Sequence, residues 1–474
     1  MLNPLLIIHA GIAILCIIHL ILYGTRPTKS FSWLLVLLLL PFIGLLLYIL
    51  FGINRHNSGF FQLHELKKRK VYDTSNANSL KSDFKHVFTD DVASQISQLN
   101  EINGGMSATS GNSLEILDDG EKAFQHIFDE LAQARYFIHI QFYIFEEGTV
   151  LERLFQLFEQ KIAEGVEIRV IYDAIGSYQW RRKSIKRFKK IGVKIHATMP
   201  LRFGSLLFTL NHRNHRKIIV VDGVVGFTGG INISDKYIEA SDGLGVWDDM
   251  HIKIKGPAVK SLNTVFIKDY YFASGDEGVL NEEYVVESSE LGNKIVQILA
   301  SGPDTANPSI LQLYIKLINV ARKNIYIANP YFIPSAPLLE ALKIAALSGV
   351  SVNLLVPEKS DINLVKHSMF SFFDELLQNG VHIYLHPEKF LHSKFIVVDN
   401  EITSIGSGNF DNRSFEQNFE VNAVIYNKEI AKKVGDDFLN DCYNSKKISL
   451  NIFKKRSLGQ RFVEGFARLF SPLM

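Results

Sequence analysis

NHRNHRKIIVVDG, residues 211–223, and FLHSKFIVVDN, residues 390–400, carry one shared pattern: His-x-Lys, an apolar run, then Asp. The first copy is His215, Lys217 and Asp222; the second is His392, Lys394 and Asp399. A short apolar run closed by Asp reads as a strand ending at a turn. A Gly-rich turn carrying an Asn follows each copy: Gly229, Gly230 and Asn232 after the first, Gly406, Ser407 and Asn409 after the second. Residues two apart on a strand share a face, so each His and its Lys point the same way. An imidazole acts as base, acid or nucleophile near neutral pH. The Lys charge, the Asn and the turn amides suit an anionic phosphoryl group whose charge grows in the transition state. A single copy would read as a solvated strand edge. Two matched copies facing each other supply one imidazole to attack phosphorus and one to serve the leaving and entering oxygens.

The chain around the motifs is duplicated too. ARYFIHIQFYIF, from Ala134 to Phe145, resembles ARKNIYIANPYFI, from Ala321 to Ile333. A helical stretch follows each, ending at Gly165 and Gly349, and then the strands VEIRVIYD and VSVNLLVP. Another helix ends at Gly192 or Gly380, and a short strand leads toward the His motif. This is a duplicated β-α-β domain of the α/β class rather than a short-period solenoid. It predicts two pseudo-symmetric α-β-α domains, 109–283 and 284–474, sharing one active site, after an N-terminal hairpin (1–52) and a linker or platform (53–108).

Composition narrows the function. The 474 residues allow two or three domains with full cores. A formal net charge of +2 offers no global field for nucleic acid. Two cysteines, Cys16 and Cys442, give neither a disulfide framework nor a metal set. Leu5 to Tyr23 and Trp33 to Phe51 are apolar runs, each as a helix spanning roughly 28 Å, about a hydrocarbon core. The first lacks the basic start and small-residue cleavage site of a signal peptide. The pair therefore predicts a two-span transmembrane hairpin. Its loop holds Arg26 and Lys29, whereas Arg55, Lys67, Lys68, Arg69 and Lys70 follow the second run. By the positive-inside rule the rest of the chain is cytoplasmic.

The motifs resemble the phospholipase D superfamily, and longer strings resemble the bacterial cardiolipin synthases within it. These are GFTGGINISDKY after the first motif, Trp247-Asp248-Asp249, SGPD from Ser301, ANPYFIP from Ala328, SIGSGNFDNRSFEQNFE, and the ending RLFSPLM. The resemblance covers nearly the whole chain. One departure is Gly229-Gly230 where the superfamily often has Gly-Ser, an asymmetry common in relatives of this kind. The resemblance implies an integral membrane phosphatidyltransferase working on phosphatidylglycerol among anionic membrane lipids. Two phosphatidylglycerols would give cardiolipin and glycerol through a phosphatidyl-histidine, with no cofactor and no metal, because Lys217 and Lys394 neutralise charge. By analogy His215 is the nucleophile and His392 the acid and base. The implied catalytic set is His215, Lys217, Asp222, His392, Lys394 and Asp399, with the Lys and Asn pairs (Asn232, Asn409) on phosphate oxygens. The oligomeric state stays open.

An imidazole that attacks phosphorus needs its other nitrogen held by an acceptor. Glu420, on the strand after the second Gly-rich turn, fits that role. Matching NFEVNAV with WDDMHIKI makes Asp249 its counterpart, with Asp248 next; the bland reading of either is a solvated turn carboxylate. Asp222 and Asp399, at strand ends, are expected to organise their turns rather than touch substrate. The basic run Arg181 to Lys190 reads equally as a solvated helix face or a contact with anionic lipid. The apolar stretch Met199 to Asn211 reads as a buried strand or turn or as the lining of a lipid entrance, and its place just before the first motif favours the lining. Leu458, Phe462, Phe466, Leu469 and Phe470 at helical spacing suit an interfacial helix or one docked on the core. Among rivals, a hydrolytic phospholipase D and transferases to another alcohol share every motif. A nuclease of the superfamily would show a concentrated basic footprint. A non-enzymatic membrane scaffold would have lost a motif His or Lys, and all four are present.

Overall fold

The computed structural model describes residues 4–23, 27–40, 42–52, 87–88, 90–104, 106–200, 211–240, 243–387 and 389–474. The first-half strands are β1 Thr109–Leu117, β2 Phe137–Phe142, β3 Glu167–Asp173, β4 Lys194–Thr198, β5 Ile218–Val221, β6 Val225–Gly229, β7 Trp247–Asp248 and β8 His251–Lys255. The second half continues with β9 Lys294–Ser301, β10 Asn324–Ala328, β11 Ser351–Pro357, β12 His382–His386, β13 Phe390–Leu391, β14 Phe395–Val398, β15 Ile402–Gly406, β16 Glu420–Tyr426 and β17 Lys446–Lys447.

All but β7 and β13 form one sheet in the order β17-β12-β11-β10-β14-β15-β16-β9-β1-β8-β6-β5-β2-β3-β4. Leaving out β17, the order reads as one seven-strand pattern and its mirror repeat, joined where β1 and β9 pair antiparallel (Thr109↔Val296). In each half β2-β3-β4 or β10-β11-β12 is parallel, as β-α-β crossovers require, and the hairpin carrying the motif runs antiparallel beside it. Both motif strands are wholly buried, IIVV in β5 and FIVV in β14, which is why they read as unbroken apolar runs.

Helices cover both faces. Ala258–Ser274 and Lys428–Tyr443 lie over the centre, where one core cluster takes residues from both halves, from Ile252 and Phe266 to Val421 and Phe438. The opposite face has a separate core for each half. Met369, Phe372 and Phe373 are buried in the second of these. The helix Asp91–Gly104, within the expected platform, packs Ala93 and Ile96 into the second-half core, and Asn100 donates to Gln297 of β9 (3.1 Å). The basic helix Arg182–Lys190 buries Phe188 and pairs Arg187 with Glu152 at 2.6 and 2.8 Å. Most of the stretch expected to line a lipid entrance, residues 201–210, lies outside the described residues, as do 53–86.

The N-terminus departs from two uninterrupted spans. One helix runs Pro4–Tyr23, but the second apolar run is split into Pro27–Leu39, Ile43–Leu47 and a π-helical turn, Tyr48–Gly52. The split falls beside Pro41 of the sequence, a residue without an amide hydrogen that also disfavours helix before it. Phe42 then adopts φ 64°. Among the described residues, no helix is long and apolar enough to cross a membrane. Cys16, Leu20, Trp33, Leu37 and Tyr48 cluster together, and Leu473 from the far end of the chain packs on them.

Candidate active site

The motif strands end close to the seam between the halves, and the chain there crosses over. His215 donates its amide to the Phe419 carbonyl (2.9 Å), and Phe419 returns its amide to Arg213 (2.8 Å). The equivalent exchange pairs β13 with β7 in parallel, Phe390↔Trp247, and His392 donates its amide to the Asp248 carbonyl (2.7 Å). Each motif histidine is thus stitched to the segment that leads into the other half's carboxylate.

The side chains follow the same exchange. His215 Nδ1 lies 3.0 Å from Glu420 Oε2, a second-half residue, and 3.1 Å from the Ser407 carbonyl. His392 Nδ1 lies 2.5 Å from Asp249 Oδ2, a first-half residue. Both carboxylates are fully buried, Glu420 at 0% and Asp249 at 1% exposure. With only acceptors beside it, His215 carries its proton on Nδ1, which leaves the Nε2 lone pair for chemistry. Asp249, the nearest neighbour of His392 Nδ1, favours the same tautomer there, against the Lys394 ammonium 3.0 Å from that nitrogen. Asp248, the other candidate, gives its backbone carbonyl to the site.

The lysines sit under the histidines. Lys217 Nζ donates to the His215 carbonyl (2.6 Å), and Lys394 Nζ donates to the His392 carbonyl and lies 3.6 Å from Asp249. Burial pushes the Lys217 ammonium down to about 7, with Glu420 opposing and Lys394 assisting. Burial also lowers Lys394, against Asp249 and Glu420. Burial is the first cause of both shifts, and a bound phosphodiester would hold the two ammonium groups charged. His392 is held well below the ordinary imidazole range by burial first, then by Lys394, Lys217 and His215. His215 is lowered by burial while Glu420 pulls it back up. Burial pushes the Glu420 carboxyl up, but His215, Lys217 and Ser407 outweigh it and hold it below the usual value.

Asp222 and Asp399 stand apart from this centre. Asp222 accepts from the amides of Arg135, Tyr136 and Phe137, each at 2.8 Å. Asp399 does the same for Arg322, Lys323 and Asn324 at 2.7–2.9 Å. Both have left-handed backbones, φ 51° and 53°, and lock the far end of the motif hairpin to the start of β2 or β10. Each carboxylate is thus engaged by backbone amides at a turn. Asn232 donates to the Tyr237 hydroxyl (3.0 Å) and accepts from the Ile144 amide (3.3 Å), an engagement the phosphate-oxygen expectation did not include. Asn409 Oδ1 is buried with no hydrogen-bond partner among the described residues.

Several neighbours escaped the motif reading. Tyr143 packs edge-on to His215 (ring centroids 4.9 Å) and Tyr331 edge-on to His392 (6.4 Å). Each stands two residues before the end of its duplicated segment, ARYFIHIQFYIF or ARKNIYIANPYFI, so the repeat itself was the available signal. Tyr237 brings its hydroxyl to 3.4 Å from His392 Nδ1. Arg216, between His215 and Lys217, points to the other face. It grips both Asp269 oxygens at 2.7 Å and donates to the Glu420 and Ser301 carbonyls at 3.0 Å, fixing the start of β16.

Known proteins resemble this chain along its length. Residues 127–269 and 314–442 match the family described as "Cardiolipin synthase, PLD-like domain", and residues 11–52 match "Phospholipase_D-nuclease N-terminal". The cardiolipin synthase of Alkalihalophilus pseudofirmus is 37% identical, over 95% of this chain and 90% of that protein. That of Listeria monocytogenes is 37% identical over 94% of both chains. Cardiolipin synthase 2 of Bacillus anthracis is 38% identical over 97% of this chain and 89% of its own. Among solved structures, the phosphatidylserine synthase of Haemophilus influenzae shares the fold, with TM-score 0.61 at 14% identity over 80% of this chain and all of that one.

Proposed function

This chain belongs to the phospholipase D-like cardiolipin synthases, a family of phosphatidyltransferases, and from that premise we propose how its two half-sites make cardiolipin from phosphatidylglycerol. His215 Nε2 attacks the phosphorus of one phosphatidylglycerol. The P–O bond to the glycerol headgroup breaks, and His392, which the negative charge of the bound phosphodiester allows to hold a proton against burial and the two lysines, gives that proton to the departing oxygen. His392 Nε2 then takes the proton from a headgroup hydroxyl of a second phosphatidylglycerol as that oxygen attacks phosphorus. The P–N bond breaks, cardiolipin leaves, and both imidazoles return to their starting states.

The observation that carries this reading is the crosswise pair of buried carboxylates, each turning a histidine so that Nε2 is free. The unequal carboxylates support His215 as the nucleophile. A phosphorylated, Nδ1-protonated imidazole is a cation, and Glu420 faces it as a firmly ionised carboxylate. Asp249, by contrast, is pushed up by burial despite Lys394 at 3.6 Å. Lys217 and Lys394 take the non-bridging oxygens, with Asn409 beside them, and their charge replaces a metal in this scheme.

The family is membrane-associated, and we read residues 1–52 as its two-span anchor with the catalytic halves on the cytoplasmic side. The C-terminal helix Leu458–Arg468 supports contact with the lipid surface. It leaves Phe462 at 73%, Phe466 at 53% and, just beyond it, Leu469 at 74% exposure, next to the contact of Leu473 with the N-terminal cluster.

The test is an incubation of purified full-length protein with phosphatidylglycerol vesicles, with and without EDTA, followed by mass spectrometry. Cardiolipin and glycerol in equal amounts under both conditions are expected. Phosphatidic acid with glycerol would make water the acceptor and the enzyme a hydrolase.

A further inference from the structure

The pseudo-twofold relation sets two further positions against each other. Two residues before the motif histidines stand Arg213 and Phe390; two residues before the carboxylates stand Asn418 and Trp247. Around His215 both are polar. Arg213 is buried and donates to Asp173 Oδ1 and the Met199 carbonyl, each at 3.3 Å, and Asn418 donates to Glu420 Oε1 (3.2 Å). Around His392 both are aromatic. Trp247 and Phe390 meet at 4.7 Å between ring centres, and they lie 4.8 and 5.9 Å from the His392 ring. Tyr237 at 6.2 Å and Tyr331 at 6.4 Å complete the wall.

We propose that Trp247 and Phe390 select the acceptor, keeping water from His392 so that a lipid hydroxyl resolves the phosphoryl-enzyme. This rests on the reading of His392 as the base of the second step. In that step an O–H loses its proton to His392 Nε2 while its oxygen bonds phosphorus and the P–N bond breaks. A phosphatidylglycerol hydroxyl gives cardiolipin; water gives phosphatidic acid. A water molecule against two indole and benzyl faces leaves its other hydrogen-bonding groups unmet, which is unfavourable. The carbon-bound faces of a glycerol headgroup pack on such rings instead. At His215 one ring, Tyr143, packs on the imidazole while Arg213 and Asn418 keep the matching two positions polar, and that histidine meets only phosphorus.

The measurement is the ratio of phosphatidic acid to cardiolipin made by the full-length enzyme on phosphatidylglycerol vesicles. The variants are Trp247→Asn, which installs the residue of the opposite half, Phe390→Leu and Trp247→Phe. We expect the ratio to rise about tenfold in Trp247→Asn, less in Phe390→Leu, and to return toward wild type in Trp247→Phe. Total turnover falls with any loss of packing, but a ratio of products does not depend on how much enzyme is folded. An unchanged ratio with both products reduced together overturns the proposal. If Trp247→Asn yields no product, Phe390→Leu decides by the same criterion. A wild-type enzyme that makes no cardiolipin would instead overturn the transferase reading beneath it.

Discussion

The two half-sites solve one task with different parts. At His215 the carboxylate is long: Glu420 reaches the ring and is tethered by the Ser407 hydroxyl at 2.5 Å. At His392 it is short: Asp249 comes to 2.5 Å, and Gly230 stands where Ser407 stands in the other half. A Cβ on Gly230 would fall 2.0 Å from Asp249 Oδ1. The Gly-Gly in place of Gly-Ser is therefore not drift. A carboxylate and the turn residue beside it form a matched pair, and each half has its own pair.

The largest effects should erase the comparison altogether. His215→Ala and His392→Ala should each lower transfer by about a thousandfold or more, since both imidazoles serve one reaction. Substantial cardiolipin formation by either variant would break the two-histidine scheme. Next, Glu420→Gln should cost about a hundredfold in turnover with the fold kept, because the phosphorylated imidazole loses its counter-charge. Its pH profile sharpens the assignment. His215 must be neutral to attack, so activity falls as pH drops through its pKa. Burial holds that pKa low and Glu420 raises it, so removing the Glu420 charge should move the acid limb of kcat/KM to lower pH. A limb that moves upward, or a wild-type rate, removes Glu420 from this role.

Exchanging the turn residues tests the matched pairs directly. Gly230→Ser should reduce activity about tenfold or more by displacing Asp249, whereas Ser407→Gly, which frees Glu420 without a clash, should cost a few-fold. Equal losses measured side by side would mean that the turn residues are interchangeable. The smallest catalytic effect should come from Asp222→Ala and Asp399→Ala. Each orphans three backbone amides and should lower stability by about 1–3 kcal/mol, read as a drop in Tm. Turnover per folded molecule should stay within a few-fold of wild type.

Much of this site was legible because strands advertise period two: His215 with Lys217 and His392 with Lys394 had to share faces. The duplicated segments exposed the two halves, and matching them picked out Glu420 and Asp249. What local sequence could not convey was the exchange, with Glu420 serving His215 across the seam. That pairing is made by the crossing of residues 213–215 with Phe419 and of 390–392 with β7. Tyr143 and Tyr237 carry no spacing rule of their own and drew no role, and Trp247 entered only within the Trp247-Asp248-Asp249 string. The interruption near Pro41 was visible as a proline, but an apolar run of that length outweighed it in a reading by hydropathy.

The crossed carboxylates also change what the duplication means for inheritance. A gene that doubles ordinarily frees one copy to wander. Here position 420 answers to position 215, and position 249 to position 392, so neither copy can be spared and neither can complete a centre unaided. The repeats can diverge from one another along most of their length, yet a change at either carboxylate or its histidine must be matched in the opposite copy. Two repeats interlocked in this way form one indivisible unit of selection.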